Sequence, residues 1–156
     1  MLRSAAMAGN DEEVILAATA VLTDTKVAPE LENEARYYRA QSLVKVNQMA
    51  HAVADWQSLA QDTRNAYGAE AKYQLAQYLF DAGKTADAEK EVLNYLEVST
   101  PHTYWLARSF VLLSDIYAKL DRKLEARQYL LSLKQNYQAD DDIAGMIESR
   151  LEKLNE

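Results

Sequence analysis

The sequence predicts an all-α chain, a stack of antiparallel helix pairs closed at its C-terminal end by one amphipathic helix. Three observations predict it. Apolar residues make up 49% of the 156, yet only four residues are Gly and two are Pro, a composition suited to long helices joined by short turns. Apolar side chains recur at spacings of three and four along most of the chain. Residues that tolerate a left-handed backbone, Gly9, Asn47, Gly83 and Asp121, stand 38, 36 and 38 positions apart.

Taken in order, Leu2 to Ala8 reads as the tail of a helix that Gly9 ends. Asn10 caps the next helix, Asp11 to Asp24, whose first turn holds Asp11, Glu12 and Glu13, where the helix dipole favours negative charge. Val14, Ala17, Ala18, Val21 and Leu22 mark its apolar face. Pro29 opens a helix to about Val46, carrying Ala35, Ala40, Leu43 and Val44. Its partner is expected from Met49 to Thr63, with Ala52, Val53, Trp56, Leu59 and Ala60 inward.

The central stretch, Gly68 to Val98, holds the clearest pair. Ala71, Leu75, Ala76, Leu79 and Phe80 mark one helix, Gly83 ends it, and Thr85 caps a second that carries Ala88, Val92 and Leu96. Thr100 is expected to cap, and Pro101 to open, a helix to about Leu120 with Trp105, Ala107, Phe110, Leu113, Ile116 and Tyr117. The partner helix, Lys123 to Tyr137, carries Ala126, Tyr129, Leu130 and Leu133. Asp140, Asp141 and Asp142 head a last helix. Ile143, Met146, Ile147, Leu151 and Leu154 form its apolar face, with Glu148, Arg150, Glu152 and Lys153 on the other.

Several chemistries are not indicated. The net charge of −7 without a basic stripe argues against nucleic acid as a partner. No stretch approaches the ~20 apolar residues of a membrane span, and there is no Cys for a disulfide or a thiolate site. His51 and Asp55 share a helix face, but two ligands do not make a metal site, and His102 stands alone. The Asp140–Asp142 run lacks the spaced oxygens of a calcium loop. No Gly-rich phosphate loop or nucleophile elbow is present, so neither an enzyme nor a cofactor is expected.

Counting five residues on from each turn residue gives Val14, Ala52, Ala88 and Ala126, and four more gives Ala18, Trp56, Val92 and Leu130. A small residue followed by a larger apolar one lets the second helix of a pair nestle against the first. With Leu75, Ala76 and Leu79 in one first helix and Phe110, Leu113, Ser114 and Tyr117 in the next, the pattern resembles the tetratricopeptide repeat. The match covers most of the chain, as a partial repeat at 1–28, repeats at 29–67, 68–100 and 101–138, and a capping helix at 139–156. The period exceeds the usual ~34 residues, and the repeat-closing Pro is displaced to Pro29 and Pro101. In this respect the chain is similar to extended-repeat bacterial tetratricopeptide proteins of envelope assembly; the resemblance is compatible with a periplasmic or envelope-associated setting, and the compartment stays open between that and the cytoplasm.

The resemblance implies a right-handed α-solenoid whose concave groove is lined by the first helix of each repeat and binds protein or peptide without catalysis. It places Tyr37, Gln41 and Lys45 on that surface, then Tyr73, Gln77 and Phe80, then Arg108 and Asp115. Tyr37 and Gln41 recur as Tyr73 and Gln77. Tyr faces offer rigid apolar area and Gln amides can hydrogen-bond a peptide backbone; the plainer reading has the rings filling the seam between repeats. At the places of the family's carboxylate clamp (Tyr37, Gln41, Gln74, Arg108 and Leu112) only Arg108 keeps the chemistry, so that type of receptor is not implied. The alternative function is a purely structural repeat segment. The N-terminus reads as the interior of a larger protein, and an apolar edge around Val14, Ile15, Val21 and Leu22 that lacks a neighbouring helix would favour a homodimer.

Overall fold

The four predicted turn residues set the frame of the structure, a computed structural model that describes residues 1–98 and 100–156. Gly9, Asn47, Gly83 and Asp121 have φ of 71°, 65°, 81° and 60°, and no other described residue has a positive φ. Each closes a helix with the same pair of bonds. The turn residue's N–H reaches back three residues, as Gly83 N to Phe80 O at 3.1 Å, and the next N–H reaches back five, as Lys84 N to Leu79 O at 2.9 Å. The equivalents are Asn10 N to Ala5 O, Gln48 N to Leu43 O and Arg122 N to Tyr117 O, at 3.1, 2.7 and 2.8 Å. These bonds satisfy carbonyls that a helix end leaves without partners.

Between the turns lie α1 (Leu2–Ala8), α2 (Asp11–Thr23), α3 (Pro29–Lys45), α4 (Met49–Leu59), α5 (Ala66–Asp81), α6 (Thr85–Glu97), α7 (Thr103–Lys119), α8 (Lys123–Asn136) and α9 (Ile143–Leu154). All regular structure among the described residues is helical, and no helix among them is long and apolar enough to cross a membrane. The chain forms two compact units, residues 1–72 and 73–156, the division falling within α5.

In the first unit α1 packs on α2, α2 on α3 and α3 on α4. Leu2, Ala5, Val14, Ala18 and Ala35 are buried together. Asn10 caps α2 as expected, its Oδ1 accepting from Glu13 N at 3.3 Å, and Pro29 stands at the start of α3. Helix α4 ends at Leu59, short of the expected Thr63, and residues 60–65 make a turn instead. Asn65 Oδ1 then accepts from Gly68 N at 2.7 Å, an N-cap for α5. Gly68 has a packing role as well. A Cβ there would lie 1.9 Å from the carbonyl oxygen of Asp62 and 2.5 Å from that of Leu59.

In the second unit α6 packs on α7, α7 on α8, and α9 on both α8 and α7. Tyr73, Ala76, Ala88, Val92, Tyr95, Leu112, Leu113 and Ile116 share one core, and Ala107, Val111, Leu130, Leu133, Ile143 and Ile147 another. Across both units the residues five and nine positions after each turn are buried, with Ala18, Ala52, Ala88, Ala126 and Leu130 at 0% exposure.

The helix caps of this unit depart from expectation. Thr85 is the first residue of α6 and the cap position falls on Lys84, which makes no side-chain cap bond. The turn at Gly83 uses only one further residue before the next helix begins, so Thr85 comes too late to cap. Pro101 does not open α7, which begins at Thr103; Thr100 Oγ1 instead accepts from His102 N at 3.1 Å in the turn before it. Ahead of α9, Asp141 Oδ1 accepts from Ile143 N at 2.9 Å, so the acidic run does head the helix.

Candidate functional site

The first unit carries three of the eight groove candidates, all on α3. Tyr37 is half-buried; its ring centroid is 4.5 Å from that of Tyr67 and 5.5 Å from that of Tyr38. Gln41, one turn on, donates from Nε2 to the Tyr37 hydroxyl at 2.8 Å. Burial first, and then the nearby Glu70 carboxylate, push the Tyr37 hydroxyl well above the usual tyrosine range. Gln41 is exposed, as is Lys45 in the last turn of α3, where a cation suits the helix dipole. Beside them Glu34, only 9% exposed, accepts from Arg3 Nε and Nη2 at 2.6 and 2.9 Å, which holds its carboxyl below the usual carboxylate range.

The other five lie in the second unit, and there the structure brings Tyr73, Gln77, Arg108 and Asp115 around one small cavity of about 80 Å³. Tyr73 is 5% exposed, a core residue whose ring sits 5.6 Å from that of Trp105. Its hydroxyl donates to Gln77 Oε1 at 2.9 Å and accepts from Arg108 Nη2 at 3.0 Å. Gln77 Nε2 donates onward to Asp81 at 2.9 Å. Arg108 Nη1 donates to the Tyr104 hydroxyl at 3.0 Å, and Tyr104 donates to Asp142 at 2.9 Å. The guanidinium lies 4.9 Å from the centre of the Tyr73 ring, a cation–π distance. Asp115 accepts from Arg150 Nε and Nη2 at 3.2 and 3.3 Å. Phe80, on α5 with Tyr73 and Gln77, does not line the cavity; it is partly buried against the core, with Lys119 Nζ 5.4 Å from its ring centre.

Three contributors escaped the sequence reading. Arg150 was expected on the charged outer face of α9, but it faces α7. The spacing 143, 147, 150, 154 places it on the same stripe as Ile143, Ile147 and Leu154, and that is the signal that would have found it. Tyr104 and Asp142 close the far side of Arg108 from two elements 38 residues apart, which no local pattern reveals.

Elsewhere, an open apolar groove of about 650 Å³ runs along α1 and α2, lined among others by Leu2, Ala5, Leu16, Ala17, Val21 and Leu31. The Asp55 carboxylate, read beside His51, is engaged instead by Arg39, whose Nε and Nη2 donate to it at 2.8 and 2.6 Å. Among the described residues no three His, Cys, Asp or Glu side chains gather to hold a metal ion. No family model, curated protein or solved structure matches the chain.

Proposed function

We propose that the chain is a tetratricopeptide-like, right-handed helical-repeat scaffold that binds a protein or peptide along the first helices of its pairs and catalyses no reaction. The observation that carries this reading is a repeated side-chain pairing on the first helices. In each unit a first helix carries a Tyr and a Gln one turn apart, bonded to each other, as Tyr37 with Gln41 at 2.8 Å and Tyr73 with Gln77 at 2.9 Å. A hydrogen-bonding amide held beside an aromatic ring is chemistry suited to an extended backbone. The regular turns at Gly9, Asn47, Gly83 and Asp121 support the repeat reading.

The alternative, a purely structural segment, is favoured by one observation: Tyr73 is 5% exposed and its hydroxyl is engaged on both sides within the unit. A photo-crosslinking amino acid placed at Gln41, Gln77 or Lys45, against a control at the exposed Leu124, separates the two. Adducts from the native cell extract at the first three positions and not at Leu124, lost in Gln41→Ala and Gln77→Ala variants of equal helicity, support the scaffold. Adducts only at Leu124, or none, leave the structural reading.

A further inference from the structure

We infer that the α1–α2 edge of the first unit is an interface between two copies of this chain, in which α2 crosses the α2 of a second copy in antiparallel sense about a two-fold axis. This contact is independent of the peptide-binding reading. The open groove of about 650 Å³ is lined along α2 by Ala17, Ala20 and Val21, with Leu31 from the start of α3. Leu16 lines the same groove and stands 72% exposed. A bare leucine beside a gap left by alanines is a knob beside a hole. Both belong to α2 and face outward together, so Leu16 cannot fill the gap of its own chain. A second copy turned about a two-fold axis sets each Leu16 over the Ala17 and Ala20 of the other. The other exposed leucines at helical spacing, Leu124 and Leu131 on α8, have Arg127 and Gln128 between them in place of alanines and offer no such gap.

Charge sets the direction of the crossing. The first turn of α2 holds Asp11, Glu12 and Glu13, and the one base between residues 11 and 28 is Lys26, just past the helix end. Asp24 lies beside it, its Oδ1 accepting from Lys26 N at 3.0 Å. Arg3, the cation in the groove lining, is held by Glu34, and of the two acids flanking Leu31, Glu32 lies 3.6 Å from Arg36. Acids thus outnumber bases along this edge. Parallel α2 helices would set acidic turn on acidic turn and align the two helix dipoles. An antiparallel pair centred on Ala17 and Ala20 brings the Lys26 of each copy to Glu12 and Glu13 of the other, and opposes the dipoles. Two helices ~20 Å long make a contact of no more than about 1,000 Å², the size of a weak, reversible interface, so a dissociation constant of about 10–100 μM is expected.

Sedimentation velocity and multi-angle light scattering across the micromolar to millimolar range test this on the whole chain. The mass is expected to rise from one chain to two and to stop there. Leu16→Glu, at the centre of the contact, should weaken association about 30-fold or more. Lys26→Glu should weaken it about fivefold, and adding Glu13→Lys to that variant should restore it, because each Glu at 26 then meets a Lys at 13 of the other copy. All three positions are exposed, so circular dichroism should show the helicity of the parent.

A single-chain mass at every concentration overturns the inference and leaves the groove to another segment or another protein. Masses that climb past two chains overturn it too, since a two-fold contact closes on itself. So does a dimer that survives Leu16→Glu, or one that is lost in Leu124→Glu. Failure of Glu13→Lys to restore the Lys26→Glu variant overturns the antiparallel crossing.

Discussion

Gly68 and Gly145 are both helical glycines, and the same substitution should move stability in opposite directions at the two. In an exposed helix, Gly→Ala gains up to about 1 kcal/mol, because Ala loses less backbone entropy on folding. At Gly145 a Cβ meets nothing within 4 Å, so Gly145→Ala in α9 should show that gain. At Gly68 the new Cβ would stand 1.9 Å from Asp62 O and 2.5 Å from Leu59 O, where contacts under 3.0 Å essentially do not occur. The Asp62 carbonyl must retreat by more than an ångström.

That carbonyl has little freedom. It belongs to the tight connection between α4 and α5, where Asp62 N donates to Leu59 O at 3.2 Å and Asn65 Oδ1 caps Gly68 N at 2.7 Å. Overpacking against backbone costs about 3 kcal/mol, at the upper end of the range because no side chain can rotate away. Set against the propensity gain of about 1 kcal/mol, Gly68→Ala should destabilise by about 2 kcal/mol. Urea unfolding followed by circular dichroism, with the slope compared to confirm that the transition is unchanged, measures both variants. A Gly68→Ala protein as stable as the parent would refute the close approach of α5 to the 59–62 backbone. Destabilisation by Gly145→Ala would refute the view that α9 presents Gly145 to open space.

Other outcomes follow from the same structure. Leu130, at 0% exposure, and Leu131, at 48%, are neighbours on α8; Leu130→Ala should cost about 3 kcal/mol and Leu131→Ala well under 1, and equal losses in urea melts would contradict the assigned face. Arg39→Ala strands the Asp55 carboxylate, 3% exposed as a side chain, and should cost about 3–5 kcal/mol, whereas replacing both residues by Leu should recover most of it; a single variant as weak as an exposed ion-pair deletion would argue against a buried pair. Glu34 is held ionised by Arg3, so its folded pKa lies below the unfolded value of ~4.3; the stability it confers is present above that value and lost as pH falls through the folded one. The gap in urea midpoint between the parent and Arg3→Ala should therefore close in acid, and a gap that stays constant with pH would exclude this linkage.

The frame of the fold was legible because it depends on local backbone chemistry. Asn47 and Asp121 replace glycine at two of the four turns, yet both adopt the left-handed conformation, at φ 65° and 60°. Spacing and residue type suffice for that, and for the buried positions five and nine residues later. Features that depend on distant neighbours were not legible. Gly68 looks like a weak point in a helix until the Asp62 carbonyl is found against it. Tyr37 and Tyr73 are equivalent by register, but Tyr37 stacks on Tyr67 and stays half-exposed, while Tyr73 is enclosed by Trp105 and Arg108. The Arg108 and Asp115 candidates were found by register, whereas Arg150, which completes the cavity, was missed because its charge disguised its place on the apolar stripe of α9.

The internal bonds of the second unit bear on what can bind it. A ligand that reaches Arg108 competes with the hydroxyls of Tyr73 and Tyr104, each already accepting at 3.0 Å. Exchanging one neutral acceptor for another, as a peptide amide would, changes little, since the guanidinium makes a charge-assisted bond of similar strength on either side of the exchange. A hydroxyl displaced from the guanidinium is not stranded: that of Tyr104 keeps its bond to Asp142 at 2.9 Å. Tyr73 likewise keeps Gln77 at 2.9 Å. Opening the site therefore leaves each tyrosine one of its bonds, and the loss falls on Arg108. The network thus holds Tyr73, Gln77, Arg108 and Tyr104 as one bonded cluster within the second unit.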